Sequence, residues 1–256
     1  MIKAAFFDVD GTLMSHQTRQ VPPSTVAALK KLRERGVPCI LATGRHVNEI
    51  DNLPVGSIPF DGYIMLNGQL ILDDKRRVLH GVPFRGRALE HLVDLFNRKQ
   101  IPLALVEEDG LRLNFVNERV VAVQDAISSK IPPLGIYTGK PVYLVCGYLS
   151  KADETLLEEI REECIVTRWN SCGVDIIAKG GGKVVGIQRY LEANGITKEE
   201  IIAFGDGEND LEMLKFAGIG VAMGNAEEIV KCSADYVTDD VDEDGIAKAL
   251  KYFNLI

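Results

Sequence analysis

The sequence predicts an α/β protein in which a parallel-sheet core carries an inserted α+β domain. From residue 1 to about residue 80, and again from about residue 184 onward, short apolar runs alternate with amphipathic segments, which is typical of βαβ units. The block between them differs, because its predicted helices are each followed by strand-like runs. The glycine run at residues 180–182 is predicted to form one hinge. We therefore expect a core over residues 1–82 and 182–256, and an inserted domain over residues 83–181.

In the first block, apolar runs predict the strands, and proline and glycine predict where the helices begin and end. The first helix begins after Pro22-Pro23-Ser24 and ends at Gly36. Asn67-Gly68 is a strong hairpin signal and is expected to join a third strand to a fourth. The predicted strands are residues 4–7, 37–42, 63–66 and 69–72, with a short helix after the second.

The inserted block and the final block complete the predicted fold. Helical periodicity over residues 88–96, 118–129 and 152–160 is followed by strand-like runs over 103–107, 111–115, 142–147, 164–169 and 174–178, which predicts an antiparallel sheet. The final block is predicted to contain helices over 184–193, 211–216 and 226–231, strands over 201–204, 219–222 and 235–237, and a last helix. This renewed alternation completes the first sheet.

Composition excludes several classes of protein. The chain has 256 residues, 46% of them hydrophobic and 26% charged, as in globular proteins with a sizeable core. A formal net charge of −8 argues against a nucleic-acid partner, and no run approaches the roughly 18 apolar residues of a membrane span. The five cysteines form no CxxC pair, so we expect reduced thiols. The expected location is cytoplasmic, and the sequence does not indicate an oligomeric state.

Two carboxylates stand at the end of the first predicted strand, in Asp8-Val9-Asp10-Gly11-Thr12. Because the chain is expected to turn at Gly11, both side chains can point into one small volume. Two anions held that close need a cation, and oxygen ligands without a supporting His or Cys cluster suit Mg²⁺. The alternative is a solvated turn, since Asp and Gly are common in turns.

Three further polar clusters are expected at the same edge of the sheet, because open parallel sheets bind ligands beyond the carboxyl ends of their strands. Each lies at a strand end or a helix start. They are Thr43-Gly44-Arg45, Lys183, and the run Gly205-Asp206-Gly207-Glu208-Asn209-Asp210.

The four clusters, in this order, resemble the four motifs of the haloacid dehalogenase (HAD) superfamily. The large insertion between the second and third motifs is similar to that of the Cof-type subfamily IIB, and within this subfamily the chain resembles the hexose-phosphate phosphatases of Bacteroides. The resemblance implies a Rossmann-like core with a type C2B cap. It also implies a Mg²⁺-dependent phosphatase that acts on small phosphorylated molecules, chiefly sugar phosphates, through an aspartyl-phosphate intermediate.

The resemblance also implies roles for individual carboxylates. Asp8 is the nucleophile, and Asp10 is the general acid and base, whose backbone carbonyl binds Mg²⁺. Asp206 completes the metal site with Asp8. Asp210, one helical turn further on, supports that site without touching the ion.

Phosphate contacts are expected from Thr43, the amide of Gly44, and Lys183, with Asn209 orienting its neighbours or contacting phosphate. Arg45 is either a substrate contact or an exposed arginine at a helix start. Lys183 departs from the family pattern, which has a small hydroxyl residue before the lysine and a glycine after it. Lys179 is therefore a competing candidate.

Asn67 is expected to be a turn former, because Gln69 replaces the alanine usual in the subfamily's Asn-Gly-Ala. The cap is expected to close over the site and to bind the leaving group, whereas Trp169 alone could equally belong to the cap core. A phosphomutase and a non-catalytic phosphate-ligand sensor remain alternatives to the phosphatase. The candidate cap contacts are Glu107, Arg168, Trp169 and Asp175.

Overall fold

The structure is a computed structural model that describes residues 1–127 and 129–256. Its chain divides into two compact units. The core unit comprises Met1–His80 and Gly182–Ile256, and the inserted unit comprises Gly81–Gly181. No described helix has both the length and the apolar character needed to cross a membrane.

Strands and helices occur along both units, and they alternate through most of the core unit. The strands are β1 (Ala4–Phe7), β2 (Cys39–Ala42), β3 (Gly62–Met65), β4 (Leu70–Leu72), β5 (Val78–Gly81), β6 (Leu103–Glu107), β7 (Gly110–Leu113), β8 (Val142–Gly147), β9 (Cys164–Asn170), β10 (Gly173–Ala178), β11 (Ile201–Gly205), β12 (Ile219–Ala222) and β13 (Tyr236–Val237). The α-helices are α1 (Pro23–Glu34), α2 (Val47–Ile50), α3 (Gly86–Arg98), α4 (Glu118–Ala126), α5 (Lys183–Asn194), α6 (Leu211–Phe216), α7 (Glu228–Lys231) and α8 (Gly245–Tyr252).

The core sheet has the strand order β13-β12-β11-β1-β2-β3-β4-β5. It is parallel from β13 to β3, and β4 returns antiparallel to β3. Strand β1 lies between β11 and β2, and all four of its residues are buried, as expected for a strand covered on both faces. The rings of Phe7 and Phe204 stack at 4.9 Å across the β1–β11 pair. This position places the end of β1 in the middle of the sheet edge.

The inserted unit is built on an antiparallel sheet with the order β7-β6-β8-β10-β9. One apolar cluster of this unit joins α3, the 3₁₀ helix Lys151–Ile160 and sheet residues such as Leu105 and Ile176. A second cluster brings Val120 and Val123 of α4 together with Leu113 and Tyr148. The observed architecture confirms the predicted fold class, a parallel-rich sheet and a separate antiparallel sheet.

The structure differs from the predicted elements in several places. The connection between paired Met65 and Leu70 has four residues rather than the two that Asn-Gly predicts, because Leu66, Asn67 and Gly68 all adopt positive φ. Strand β5 was not predicted, since its residues are exposed or half-buried and lack a strong apolar pattern. The segment at 152–160 is a 3₁₀ helix, and the helix predicted over 118–129 ends at Ala126, with Ser128 outside the described residues.

Candidate active site

The site begins where β1 ends. The backbone N–H of Asp8 donates to the carbonyl of Phe204 at 3.0 Å, which continues the β1–β11 pairing, and the Asp8 side chain is buried. The chain then turns at Gly11, with φ +82°. A Cβ on Gly11 would lie 2.0 Å from Oδ2 of Asp206, so only glycine lets this carboxylate pack against the turn. The local sequence therefore places Asp8 and Asp206 at neighbouring strand ends.

Thr12 connects the loops that follow β1 and β11. Its Oγ1 donates to Oδ1 of Asp206 at 2.7 Å, and Thr12 is fully buried. Thr12 is the last residue of the first motif, and the motif alone predicts no role for it. The sequence shows a threonine after Asp-x-Asp-Gly, but its partner Asp206 is 194 residues away in the chain, so local pattern does not predict the bond.

Lys183, the first residue of α5, lies among carboxylates. Its Nζ donates to Oδ1 of Asp8 at 2.7 Å and to Oδ1 of Asp210 at 2.6 Å, and the side chain is buried. Burial alone lowers the pKa of an amine, but the charges of Asp210 and Asp8 more than offset it, so the pKa of Lys183 lies above its ordinary value. Lys183 is therefore a fixed positive charge.

The competing lysine is placed elsewhere. Lys179 belongs to the inserted unit, where its Nζ lies 3.3 Å from the carboxylate of Glu162 and its side chain is about half exposed. This placement supports Lys183 as the lysine of the third motif.

Asp210 is fully buried and uses both of its oxygens. Oδ1 accepts from Lys183, while Oδ2 accepts from the backbone N–H groups of Asp206 at 3.1 Å and Gly207 at 3.0 Å. It thereby fixes both the lysine and the turn that carries Asp206. A carboxylate saturated in this way is poorly suited to bind a metal ion directly.

Arg45 forms a bidentate ion pair with Asp10. Its Nε donates to Oδ2 at 2.6 Å and its Nη2 donates to Oδ1 at 2.8 Å, while Nη1 lies 3.8 Å from Glu49. The expectation of an exposed arginine at a helix start is wrong, because the fork geometry of the guanidinium matches the carboxylate and draws the side chain inward. Arg45 therefore orients Asp10 in this structure.

Thr43 and Gly44 lie in the loop that follows β2, and Asn209 lies in the segment that follows β11. Thr43 is buried after β2, and its Oγ1 accepts from the backbone N–H of Arg45 at 3.2 Å. A Cβ on Gly44 would lie 3.1 Å from the amide of Asn67, and Nδ2 of Asn209 donates to Oδ1 of Asn67 at 3.2 Å. Asn67 thus forms the expected turn, with φ +53°, and also links Asn209 to the Thr43 loop, a contact that was not predicted.

Two of the predicted cap contacts, Glu107 and Arg168, have partners within the inserted unit. Glu107 is fully buried and accepts from Arg112 and Thr138, and Arg168 donates to Glu154 and to the carbonyl of Leu149. Both side chains are thus held by partners within their own unit, since a buried charge requires such partners. The alternative that Trp169 belongs to the cap core is wrong. Trp169 remains 40% exposed, and its Nε1 donates to Oδ1 of Asp175 at 3.0 Å.

The carboxylates of Asp8, Asp206 and Asp210 together carry more negative charge than Lys183 can balance. Burial raises the pKa of Asp8 well above its ordinary value, an effect that Lys183 opposes and that Asp210 and Asp206 reinforce. Burial likewise raises the pKa of Asp206 to about 7, although the bond from Thr12 opposes this. A bound cation would relieve this repulsion.

The donor set fits a hard divalent cation. Carboxylate oxygens of Asp8, Asp206 and Asp210 all lie within 4.8 Å of one another. Since Asp210 is engaged by Lys183 and two backbone amides, Asp8 and Asp206 are the carboxylates able to hold an ion. Oxygen donors of this kind suit Mg²⁺ rather than zinc or copper.

The raised pKa of Asp206 predicts a pH-dependent response to Mg²⁺. The folded protein keeps this proton up to about pH 7, whereas the ordinary pKa is 3.8, so raising the pH between these values favours the unfolded chain. Metal binding requires the deprotonated carboxylate, so stabilisation by Mg²⁺ should grow over the same range. Unfolding temperatures measured in Mg²⁺ and in EDTA should differ more at pH 7.5 than at pH 5. The Asp206→Asn variant should show little difference at either pH, and equal wild-type shifts at both pH values would contradict the prediction.

The fold and this site define the class of the protein. Residues 5–250 match the model of the haloacid dehalogenase-like hydrolase family, so the chain belongs to that family. The family resemblance inferred from the four motifs is thereby confirmed.

Three proteins that are similar to this chain over nearly its whole length are phosphatases. BT1666, a HAD-superfamily phosphatase from Bacteroides thetaiotaomicron, has a solved structure with a TM-score of 0.91 and 33% identity, covering 100% of this chain and 96% of that one. The HAD subclass IIB sugar phosphatase BT4131, also from Bacteroides, gives a TM-score of 0.86 and 35% identity over 99% and 100% of the two chains. The 5-amino-6-(5-phospho-D-ribitylamino)uracil phosphatase YcsE of Bacillus subtilis is 27% identical over 99% of this chain and 96% of its own. Together with the family match, these relatives establish a phosphoric monoester hydrolase.

Proposed function

We propose that the protein is a Mg²⁺-dependent phosphatase that hydrolyses small phosphorylated sugars, hexose phosphates foremost, through an aspartyl phosphate on Asp8. The observation that carries the proposal is the buried ion pair of Lys183 with Asp8 and Asp210 beside Asp206. A carboxylate nucleophile, a fixed cation and a metal-binding carboxylate at one sheet edge are what phosphoryl transfer through an enzyme ester requires.

The proposed reaction has two steps. In the first, an Asp8 oxygen bonds to phosphorus, the bond from phosphorus to the leaving oxygen breaks, and Asp10 gives that oxygen its proton. In the second, Asp10 takes a proton from water as the water oxygen bonds to phosphorus. The Asp8–phosphate bond then breaks, which releases inorganic phosphate and regenerates Asp8.

The surrounding residues support these steps. Lys183 stabilises negative charge on the phosphoryl oxygens, and Thr43 and the amide of Gly44 offer hydrogen bonds to the same group, with Asn209 close by. Asp8, Asp206 and the backbone carbonyl of Asp10 would hold Mg²⁺, which would supply further neutralisation of phosphoryl charge. Both Asp10 oxygens accept from Arg45, so Asp10 has to release at least one of these bonds when it transfers a proton.

The sugar-phosphate class is supported by the names of two relatives. BT4131 is a sugar phosphatase, and YcsE acts on a phosphate ester of a ribityl chain. Both names describe phosphate on a polyhydroxylated carbon chain, which is the substrate chemistry proposed for this protein.

The test is phosphate release from a panel of hexose, pentose, triose and nucleoside phosphates, with and without Mg²⁺. Metal-dependent release that is greatest with hexose phosphates supports the proposal. Sugar-phosphate isomerisation with little free phosphate would favour a phosphomutase instead. Binding without turnover would favour a phosphate-ligand sensor.

The acid role of Asp10 predicts a dependence on the leaving group. Asp10→Asn should lower turnover of sugar phosphates by about 10²- to 10⁴-fold, and that of an activated aryl phosphate much less, because an aryl oxide leaves without protonation. Steady-state rates on a hexose phosphate and on p-nitrophenyl phosphate check this. Asp61→Asn, which alters a carboxylate paired with Arg33 elsewhere in the core unit, serves as the control. Equal losses on both substrates would argue against the acid role.

A further inference from the structure

Asn225 joins three segments of the core unit through one side chain. It follows Gly224 beyond the end of β12, the strand next to β11. Its Nδ2 donates to the backbone carbonyl of Gly11 at 2.8 Å and, at 3.4 Å, to Oδ2 of Asp206. Its Oδ1 accepts from the backbone N–H of Val241 at 3.1 Å. The proposed function uses none of these contacts.

The partners allow only one orientation of the Asn225 amide. The Gly11 carbonyl and the Asp206 carboxylate can only accept hydrogen bonds, so the NH₂ group must face them. The Val241 N–H can only donate, so the carbonyl oxygen of Asn225 must face it. An aspartate in this position would set oxygen against oxygen at Gly11, and an alanine would remove all three bonds. The arrangement therefore requires an amide.

The segments that Asn225 joins include those that fix the position of the Asp206 carboxylate. Asp206 packs directly on Gly11, which has no room for a side chain, and accepts from the Thr12 hydroxyl. Gly11 directly follows Asp10, so a shift of the Gly11 carbonyl would also move the backbone carbonyl of Asp10. Asn225 holds this turn and the carboxylate from the β12 side, and its bond to Val241 anchors the amide to a further segment.

We propose that Asn225 is a positioning residue that sets the affinity of the site for a divalent cation. It holds the Gly11 turn and Asp206 in the geometry that the ion requires, and it contacts no reacting atom. This inference rests on the metal requirement in the proposed function. It assigns a role to a residue outside the four motifs.

The test measures metal binding directly in the purified full-length protein. Free Mn²⁺, followed by electron paramagnetic resonance during titration of EDTA-stripped protein, gives the dissociation constant without any turnover. Asn225→Ala should raise this constant by about 10- to 100-fold, the usual effect of losing a hydrogen bond that orients a metal ligand. The Mg²⁺ concentration for half-maximal phosphate release should rise in parallel, while kcat at saturating Mg²⁺ stays close to the wild-type value.

Two further variants calibrate the result. Asn52→Ala removes an exposed asparagine whose amide bonds a backbone carbonyl in the same unit, and should leave Mn²⁺ affinity unchanged. Thr12→Val removes the direct donor to Asp206 with little change of shape, and should weaken Mn²⁺ binding as Asn225→Ala does. Because Asn225 is exposed, its truncation leaves no cavity, and thermal unfolding in EDTA verifies that the variant is folded.

The outcomes separate the two proposals. A folded Asn225→Ala protein whose Mn²⁺ affinity is within twofold of wild type would overturn the inference. So would an unchanged affinity combined with a large fall in kcat, since Asn225 would then act on the chemical step. A wild-type protein that binds Mn²⁺ and responds to Asn225→Ala, yet hydrolyses no phosphate ester, would contradict the proposed function alone.

Discussion

Asp8→Asn is expected to reduce phosphate release by at least about 10⁴-fold, the scale seen when a covalent nucleophile is removed. The amide has almost the shape of the carboxylate but does not form the phosphate ester through which the reaction is proposed to proceed. Phosphate release from the preferred substrate at saturating Mg²⁺ measures the effect.

The same variant should remain folded, which separates lost chemistry from lost structure. Burial and neighbouring carboxylates raise the pKa of Asp8 despite the opposing effect of Lys183, so ionised Asp8 opposes folding at neutral pH in the absence of metal. In EDTA at pH 7.5, Asp8→Asn should therefore unfold at a temperature no lower than the wild type. Near-normal turnover by this variant would refute the nucleophile assignment.

Lys183→Met is expected to remove both activity and stability. The buried amine donates to two buried carboxylates, and its loss leaves Asp8 and Asp210 without a counter-charge. Breaking a buried ion pair in this way typically costs about 3–5 kcal/mol of unfolding free energy. Loss of charge stabilisation at the phosphoryl group should lower kcat by about 10²- to 10³-fold or more. Urea unfolding and steady-state kinetics measure the two effects.

A double variant separates the two effects. In Lys183→Met/Asp210→Asn, one uncompensated charge is removed, so part of the lost stability should return while turnover remains low. Lys179→Met is the matched control, because that lysine is half exposed and lies in the inserted unit. If Lys183→Met kept normal turnover and Lys179→Met lost it, the lysine of the active site would be Lys179 and the assignment of Lys183 would be wrong.

The sequence predicted the parts of the site that depend on local pattern. An apolar run followed by Asp-x-Asp-Gly, or by Gly-Asp, identifies a strand end and the carboxylates placed there, and parallel strands bring such ends together. The fold class followed from the same periodicity. Parts that depend on a partner far away in the chain were not predictable, such as the bond between Thr12 and Asp206 or the three bonds of Asn225.

Charge alone was a misleading guide in other places. Glu107 was expected to contact a leaving group, but it lies fully buried between Arg112 and Thr138 and stabilises its own unit. Arg45 was predicted either to contact the substrate or to be exposed to solvent. In the structure its guanidinium instead donates two hydrogen bonds to Asp10, because the geometries of the two side chains match. The composition of a segment does not specify which of its charges find partners nearby.

The position of β1 in the sheet has a consequence for synthesis of the chain. Strand β1 pairs with β2, which follows within 40 residues, but also with β11, which begins at Ile201 after the whole inserted unit. During translation one edge of an entirely apolar strand therefore stays unpaired until residue 205 has emerged, and such edges promote association between chains. The inserted unit can collapse meanwhile, so the strand that leads into Asp8 is made before the inserted unit but acquires its neighbour β11 only after it.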